Sequence, residues 1–439
     1  MEWWSILILL IGGTILMMFV GLPVGISFLL TNLIGAMIFM GGVTGLKLLI
    51  LNLEESLTSF TLLTLPMFIL MGEVMFHSKI ALRAIDTLDY WIGRVPGRLG
   101  LVAVVSGTIF AATSGSTVAN TSMLGTLLIP EMERRGYKKA MSIGPIMGSG
   151  ALAMLIPPSI LAVILATLIE VSVGGLLIAG VLPGLLLASF YALYIMIRCW
   201  IQPEIAPPYS IPPTPFLIKI RKTLIYVFPL GLIIFLVVGV IFLGVATPSE
   251  AAAMGAIGSI LLSAAYGKMS WEVLKKCLYG TIKLTTAMFV IIMASLVFSQ
   301  ILAFSGASSG LIQTVVKIKM PPILLLICMQ VTILFLGCFM DNVSIAVIAI
   351  PIYMPLIRAL GFDPLWVAAI TLINTDMGNL TPPFGLQLFV MKGVLPETPM
   401  SVIIRSTLPF LLCEALALVM IMIFPDIALY LPSLMRKSG

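Results

Sequence analysis

Long apolar runs separated by short polar intervals make up most of the chain. Trp4–Val20 is the first run, Gly21-Leu-Pro-Val-Gly25 breaks it, and a second continues to about Met40. A membrane-crossing helix needs about 20 largely apolar residues. Phe60–Phe76, Gly175–Arg198, Thr223–Gly244, Glu250–Tyr266, Leu284–Phe304 and Pro399–Phe424 therefore read as further spans. Three segments mix charge with apolar residues: Lys47–Ser59, Lys79–Gly100 and Trp271–Leu278. Such mixtures predict helices lying along the membrane surface, and a short polar arm closes near Lys319.

Four apolar stretches are interrupted in the middle. Leu101–Pro130 is broken at Thr113-Ser-Gly-Ser-Thr117, and Pro321–Pro355 at Gly337-Cys-Phe-Met-Asp-Asn342. Halves of about 14 residues are too short to cross, so each stretch is expected to be a re-entrant hairpin with its tip at mid-membrane. Ala140–Glu170 and Leu365–Val390 are apolar helices broken by Ile156-Pro-Pro-Ser159 and Thr381-Pro-Pro383. The charged segment Glu131–Lys139 must lie in water.

The two halves repeat one plan. A shift of 225 carries Pro157 and Pro158 onto Pro382 and Pro383, Gly136 onto Gly361 and Pro130 onto Pro355. It also lays the Ser114–Thr117 interruption on Phe339–Asn342. The first repeat is expected over residues 1–215, with scaffold helices in 1–98, hairpin and broken helix in 99–172, then a helix to 198 and a cytoplasmic loop. The second covers 216–439, with scaffold helices in 223–304, hairpin and broken helix in 320–393 and a last helix in 399–425. Placing Glu131–Lys139 in the cytoplasm puts eighteen of the 24 Lys and Arg residues on that side, leaving Lys47, Lys317, Lys319, Arg358, Arg436 and Lys437 outside. Both termini then lie on the periplasmic side, and the second hairpin enters from the face opposite the first. The expected fold is an all-α polytopic membrane protein with inverted repeats, two re-entrant helical hairpins and two Pro-Pro-broken helices. Broken helices of inverted repeats meeting at mid-membrane are the plan of secondary transporters.

Composition narrows the function. Of the 439 residues, 60% are apolar and 10% charged, with a mean hydropathy of +1.18, which excludes a water-soluble globular protein. The basic excess reflects orientation in the membrane and not nucleic-acid binding. The five cysteines are scattered and His77 is the single histidine, which argues against a zinc site and against Ser/His or Cys/His nucleophilic catalysis. Gly306-Ala-Ser-Ser-Gly310 matches a nucleophile elbow in letters only, and no nucleotide-binding P-loop exists. An enzyme is not expected.

The interruptions carry the candidate chemistry. Broken helices end in free carbonyls, which favour a small cation, and free N–H groups, which favour an anion. Ser114, Ser116, Thr117 and Asn120 at the first tip add hard oxygens, as do Asp341, Asn342 and Ser344 at the second. Asn374, Asp376, Asn379 and Thr381 line the second broken helix, a donor set suited to sodium and not to transition metals. Residues 100–130, 140–197, 321–356 and 359–391 contain no Lys or Arg, so a bound anion must be balanced by cations and helix ends. An intramembrane Asp is costly and marks function.

Several motifs together resemble the large membrane (M) subunit of tripartite ATP-independent periplasmic (TRAP) transporters. They are Pro66-Met-Phe-Ile-Leu-Met-Gly72, Ser114-Gly-Ser-Thr-Val-Ala-Asn120, Gly136-Tyr137, Ile156-Pro-Pro-Ser-Ile160, Ala246-Thr-Pro-Ser-Glu-Ala-Ala252 and Asn379-Leu-Thr-Pro-Pro-Phe-Gly385. The resemblance implies an elevator-type transporter of the bacterial inner membrane. It also implies a small four-helix membrane (Q) subunit and a periplasmic substrate-binding (P) protein as partners, and a sodium gradient as the driving force. Substrates would be small organic anions such as C4-dicarboxylates or sialic acids. One sodium is implied near Ser114, Ser116, Ala153, Ile156 and Pro158; the repeat shift then proposes a second at Asp341, Gly378, Thr381 and Pro383. Gly115, Thr117, Asn120, Asn342, Asp376 and Asn379 are the expected substrate-binding residues. A stand-alone sodium/divalent-anion symporter without a binding protein is the alternative.

Overall fold

Inside hydrocarbon, backbone N–H and C=O groups find no water and must pair within their own segment, which favours helices throughout an apolar chain. A computed structural model describes residues 2–93, 95–207, 215–317 and 320–435, without the side chains of 81, 82 and 112–114. The described residues form helices joined by short turns, with no strand among them. Arg94, Lys319, Arg436 and Lys437, used above to orient the chain, lie outside the described residues, as does the Ser114 side chain.

Among the described residues, six helices are long and apolar enough to cross a membrane: Phe60–Ser78, Val173–Ile201, Phe216–Phe242, Trp271–Phe304, Asn342–Ala359 and Met400–Ile423. Lys139–Leu155 and Ile160–Ile169 together are also long and apolar enough to cross, with a bend of 42° at the first Pro-Pro break. The repeat is visible in the helix boundaries. Thr117–Arg134 shifted by 225 coincides end for end with Asn342–Ala359, and Lys139–Leu155 coincides with Pro364–Leu380. The leading hairpin helices, Arg98–Ser114 and Pro322–Gly337, agree to within two residues.

Two expectations need correcting. The hairpin arms are 16 to 18 residues long, about 26 Å, and not the 14 or so that the apolar runs suggest. The first hairpin gains its extra turns at charged ends: Arg98 pairs with Asp89 at 2.7 Å, and Glu131 pairs with Arg134 at 2.8 Å. The surface arm at Trp271–Leu278 and the span at Leu284–Phe304 are one helix, Trp271–Phe304. Ser270 caps its start, Glu272 and Lys276 pair along an exposed turn, and no proline stands between the polar and apolar parts to end it. Separately, the span starting at Phe216 contains two π-helical stretches, Thr223–Val227 and Phe235–Gly239, which the apolar pattern does not announce.

Glycines set the closest approaches. Gly144 and Gly148 of the first broken helix leave room for the Phe410 ring, which seats the last long helix, Met400–Ile423, against it. Gly337 and Gly378 meet backbone to backbone: a Cβ on either would lie 2.5 Å from the other's Cα. Small residues at helix crossings are the usual means of close packing in membranes.

Candidate functional site

Each hairpin tip rests on the break of its own half. At the first tip, Gly115 has φ +60°, which ends Arg98–Ser114, and Ser116 caps the returning helix by accepting from the Ala119 N–H at 3.3 Å. A Cβ at Gly115 would lie 3.0 Å from the Pro158 carbonyl oxygen, so the tip sits directly against the break. The break frees carbonyls by simple chemistry. The Ile156 N–H pairs with Leu152, but Pro157 and Pro158 have no N–H to offer the next two carbonyls, Ala153 and Met154. Ala153 and Pro158 are buried; Ser116 and Ile156 are half-buried.

The second tip is arranged alike but stands more open. Phe339 packs on Phe384 of the second break with ring centroids 5.7 Å apart. Asp341 is exposed, and its carboxylate caps its own helix, accepting from the Val343 and Ser344 N–H groups at 3.1 and 3.2 Å and from the Ser344 hydroxyl. Thr381 donates to the Met377 carbonyl at 2.6 Å, Gly378 is buried against Gly337, and Pro383 is exposed.

The halves are also tied to one another. The Thr117 hydroxyl donates to Asp376 Oδ1 at 3.4 Å, and the Asn342 amide reaches Met154 Sδ at 3.7 Å, so each hairpin touches the other half's broken helix. Asn120 sits between the arms of the first hairpin and the first broken helix, donating to the Gly107 and Ser149 carbonyls. Asn374 donates to Gln330, bracing the second broken helix on the second hairpin. Gln387 was not singled out from sequence. It lies past the second break and donates to Thr121 at 2.7 Å and to the Met147 carbonyl at 2.9 Å. A lone glutamine one turn after a Pro-Pro break was the only available signal.

Among the described residues, seven buried amide or carboxyl side-chain oxygens lack a hydrogen-bond partner: Asn32, Asn120, Asn342, Asp376, Asn379, Gln387 and Glu414, and all but Asn32 lie on the hairpins, the broken helices or the last long helix. An unpaired buried acceptor costs about 1–3 kcal/mol. Asn120, Asn342, Asp376, Asn379 and Gln387, gathered on the hairpins and broken helices, suit a small hard cation or a ligand bearing N–H or O–H donors.

A cavity of about 360 Å³ opens beside the first tip. Ser116, Ala119, Ser122 and Ile160 line one wall. Ile69, Gly72, Glu73 and Phe76 of Thr64–Ser78 form the other, with Leu284 of Trp271–Phe304. His77, the single histidine, stands 3.3 Å from Glu73.

Comparison with known proteins places this arrangement. The family model described as the tripartite ATP-independent periplasmic transporter, DctM component, matches residues 11–427. The C4-dicarboxylate TRAP transporter large permease protein DctM of Pseudomonas aeruginosa is 33% identical over 392 residues, covering 89% of this chain and 90% of its own. The ectoine TRAP large permease protein TeaC of Halomonas elongata is 29% identical, with 95% and 97% covered. The sialic acid TRAP large permease protein SiaM of Vibrio cholerae is 28% identical, with 97% and 98% covered. Among solved structures, the Alcanivorax borkumensis YdaH transporter matches with a TM-score of 0.63 at 14% identity, over 88% of this chain and 90% of that one, a likeness of fold.

Proposed function

Because the chain belongs to the DctM-component family of TRAP transporters, a family of multi-pass transporter subunits and not of enzymes, we propose that it imports a small polar organic solute by sodium-coupled symport across the bacterial inner membrane. The hairpins and broken helices form the moving body. The helices around Thr64–Ser78 and Trp271–Phe304 form the scaffold, and the cleft beside Ser116 is the boundary between them. Relatives are named for substrates as different as C4-dicarboxylates, ectoine and sialic acid, so the substrate class proposed is a small carboxylate-bearing solute.

The observation that carries this reading is the set of orphan oxygens on Asn120, Asn342, Asp376, Asn379 and Gln387, with no Lys or Arg in those apolar stretches. An interior of acceptors repels a carboxylate until cations enter, which couples solute binding to ion binding. The small membrane subunit would brace the scaffold, and a periplasmic binding protein would deliver the solute. Reconstitution of both membrane subunits into liposomes, with binding protein and solute added outside, tests this. Uptake should require an inward sodium gradient; equal uptake when potassium replaces sodium would overturn the coupling.

A further inference from the structure

Glu414 is an unexplained acid. It lies in the middle of Met400–Ile423 with no exposed surface, and its Oε1 accepts from the equally buried Tyr191 hydroxyl at 2.6 Å. Its second oxygen, Oε2, has no partner. A bare carboxylate buried this way costs several kcal/mol unless a cation or several donors meet it.

Among the described residues, its surroundings supply no cation. From Val181–Ile201 come Tyr191 and, flanking Phe410, Tyr194; Arg198 is about two turns further on. Pro364–Leu380 contributes Asp376, which is itself acidic and buried. Lys139–Leu155 has no titratable residue after Lys139. Lys392 of Leu386–Val394 is taken up by the Pro396 and Thr398 carbonyls. Asp426 and Tyr430 of Asp426–Met435 lie beyond the helix end, and on its own helix Glu414 has Cys413 beside it and Arg405 about two and a half turns away.

We propose that Glu414, hydrogen-bonded by Tyr191, is a proton-binding site of the moving body, so that protons are carried inward together with the solute. This rests on the transport reading above. Glu414 holds the proton as a neutral carboxylic acid in the arrangement seen here. It releases the proton to water as a carboxylate when the body's rearrangement wets it, and takes up another on the opposite side. Helix Met400–Ile423 is seated on the first broken helix through Phe410 in the Gly144–Gly148 groove, so Glu414 travels with the ion- and solute-binding elements.

Two measurements test it. The first needs no transport: infrared difference titration of the purified chain should show the C=O band of a protonated carboxyl that is lost in Glu414→Gln, while Tyr191→Phe shifts it. If Glu414→Gln leaves the carboxyl bands unchanged, the proposal is overturned whatever the protein transports. The second uses the reconstituted complex at a fixed sodium gradient. One proton per cycle raises the accumulation ratio up to about tenfold per unit of acid-outside pH gradient. Glu414→Gln, which keeps the Tyr191 contact, should retain sodium-driven uptake and lose that response. An equal pH response in both proteins would overturn the proposal and leave sodium coupling standing; loss of the sodium requirement in wild type would instead sink the transport reading.

Discussion

The Thr117 hydroxyl points at the Asp376 carboxylate across 3.4 Å, joining the tip of the first hairpin to the second broken helix. Neither residue has a second partner of this kind in its own repeat, so the contact couples the two halves where their interruptions converge. Asp376→Asn and Thr117→Val should each slow uptake while leaving folding intact. The double variant should be less impaired than the sum of the two, with a coupling of about 0.5–3 kcal/mol. Strictly additive losses in initial uptake rate would mean that the two residues act separately.

Gly115 combines a left-handed backbone with the Pro158 carbonyl at 3.0 Å from any added Cβ. A side chain there costs about 1–2 kcal/mol in backbone strain before any clash. Gly115→Leu should abolish uptake by lifting the tip off the break, with the protein still recovered from membranes. Wild-type uptake by this variant would show that the tip need not seat on Pro158.

At Asp341, capping and ion binding can be separated. Asp341→Ala removes the acceptor for two N–H groups and should cost about 0.5–2 kcal/mol of helix stability. Asp341→Asn retains an acceptor. If Asp341 also serves the coupling cation, the sodium concentration for half-maximal uptake rises in both variants. If it rises in neither, Asp341 is a cap alone. Ser116→Ala should raise the same concentration through the first tip.

Much of this arrangement was legible in the sequence because its signals are local. Pro157-Pro158 and Pro382-Pro383 lack the N–H groups that would continue a helix, and the polar clusters at Ser114–Thr117 and Asp341–Asn342 stand inside apolar runs, so the breaks and their 225-residue spacing could be read directly. What stayed hidden depends on pairing across the chain. Gln387, Tyr191 and Glu414 are single polar residues in apolar helices, and their partners are 266, 223 and 223 positions away. Neither periodicity nor spacing assigns such partners. The fused helix Trp271–Phe304 was missed for a different reason: charged residues at its start suggested a boundary that only a cap or a breaker could have enforced.

Gly378→Ala places a methyl group 2.5 Å from the Gly337 Cα. Backbone cannot yield as a flexible side chain would, so a loss of about 1–3 kcal/mol or more is expected. Thermal unfolding in detergent should show a lower Tm for Gly378→Ala, and a lower one still for Gly378→Val; an unchanged Tm would mean that the two helices can part at little cost.

That contact between Gly337 and Gly378 also bears on how the second half can work. With no side chain at the crossing to act as a bearing, the two backbones have neither slack to slide nor a rotamer to switch. The leading arm of the second hairpin and its broken helix are therefore welded into one piece. An opening at Phe339 and Phe384 that keeps this crossing intact would come from the returning arm, Asn342–Ala359, or from the chain around the turn that precedes it.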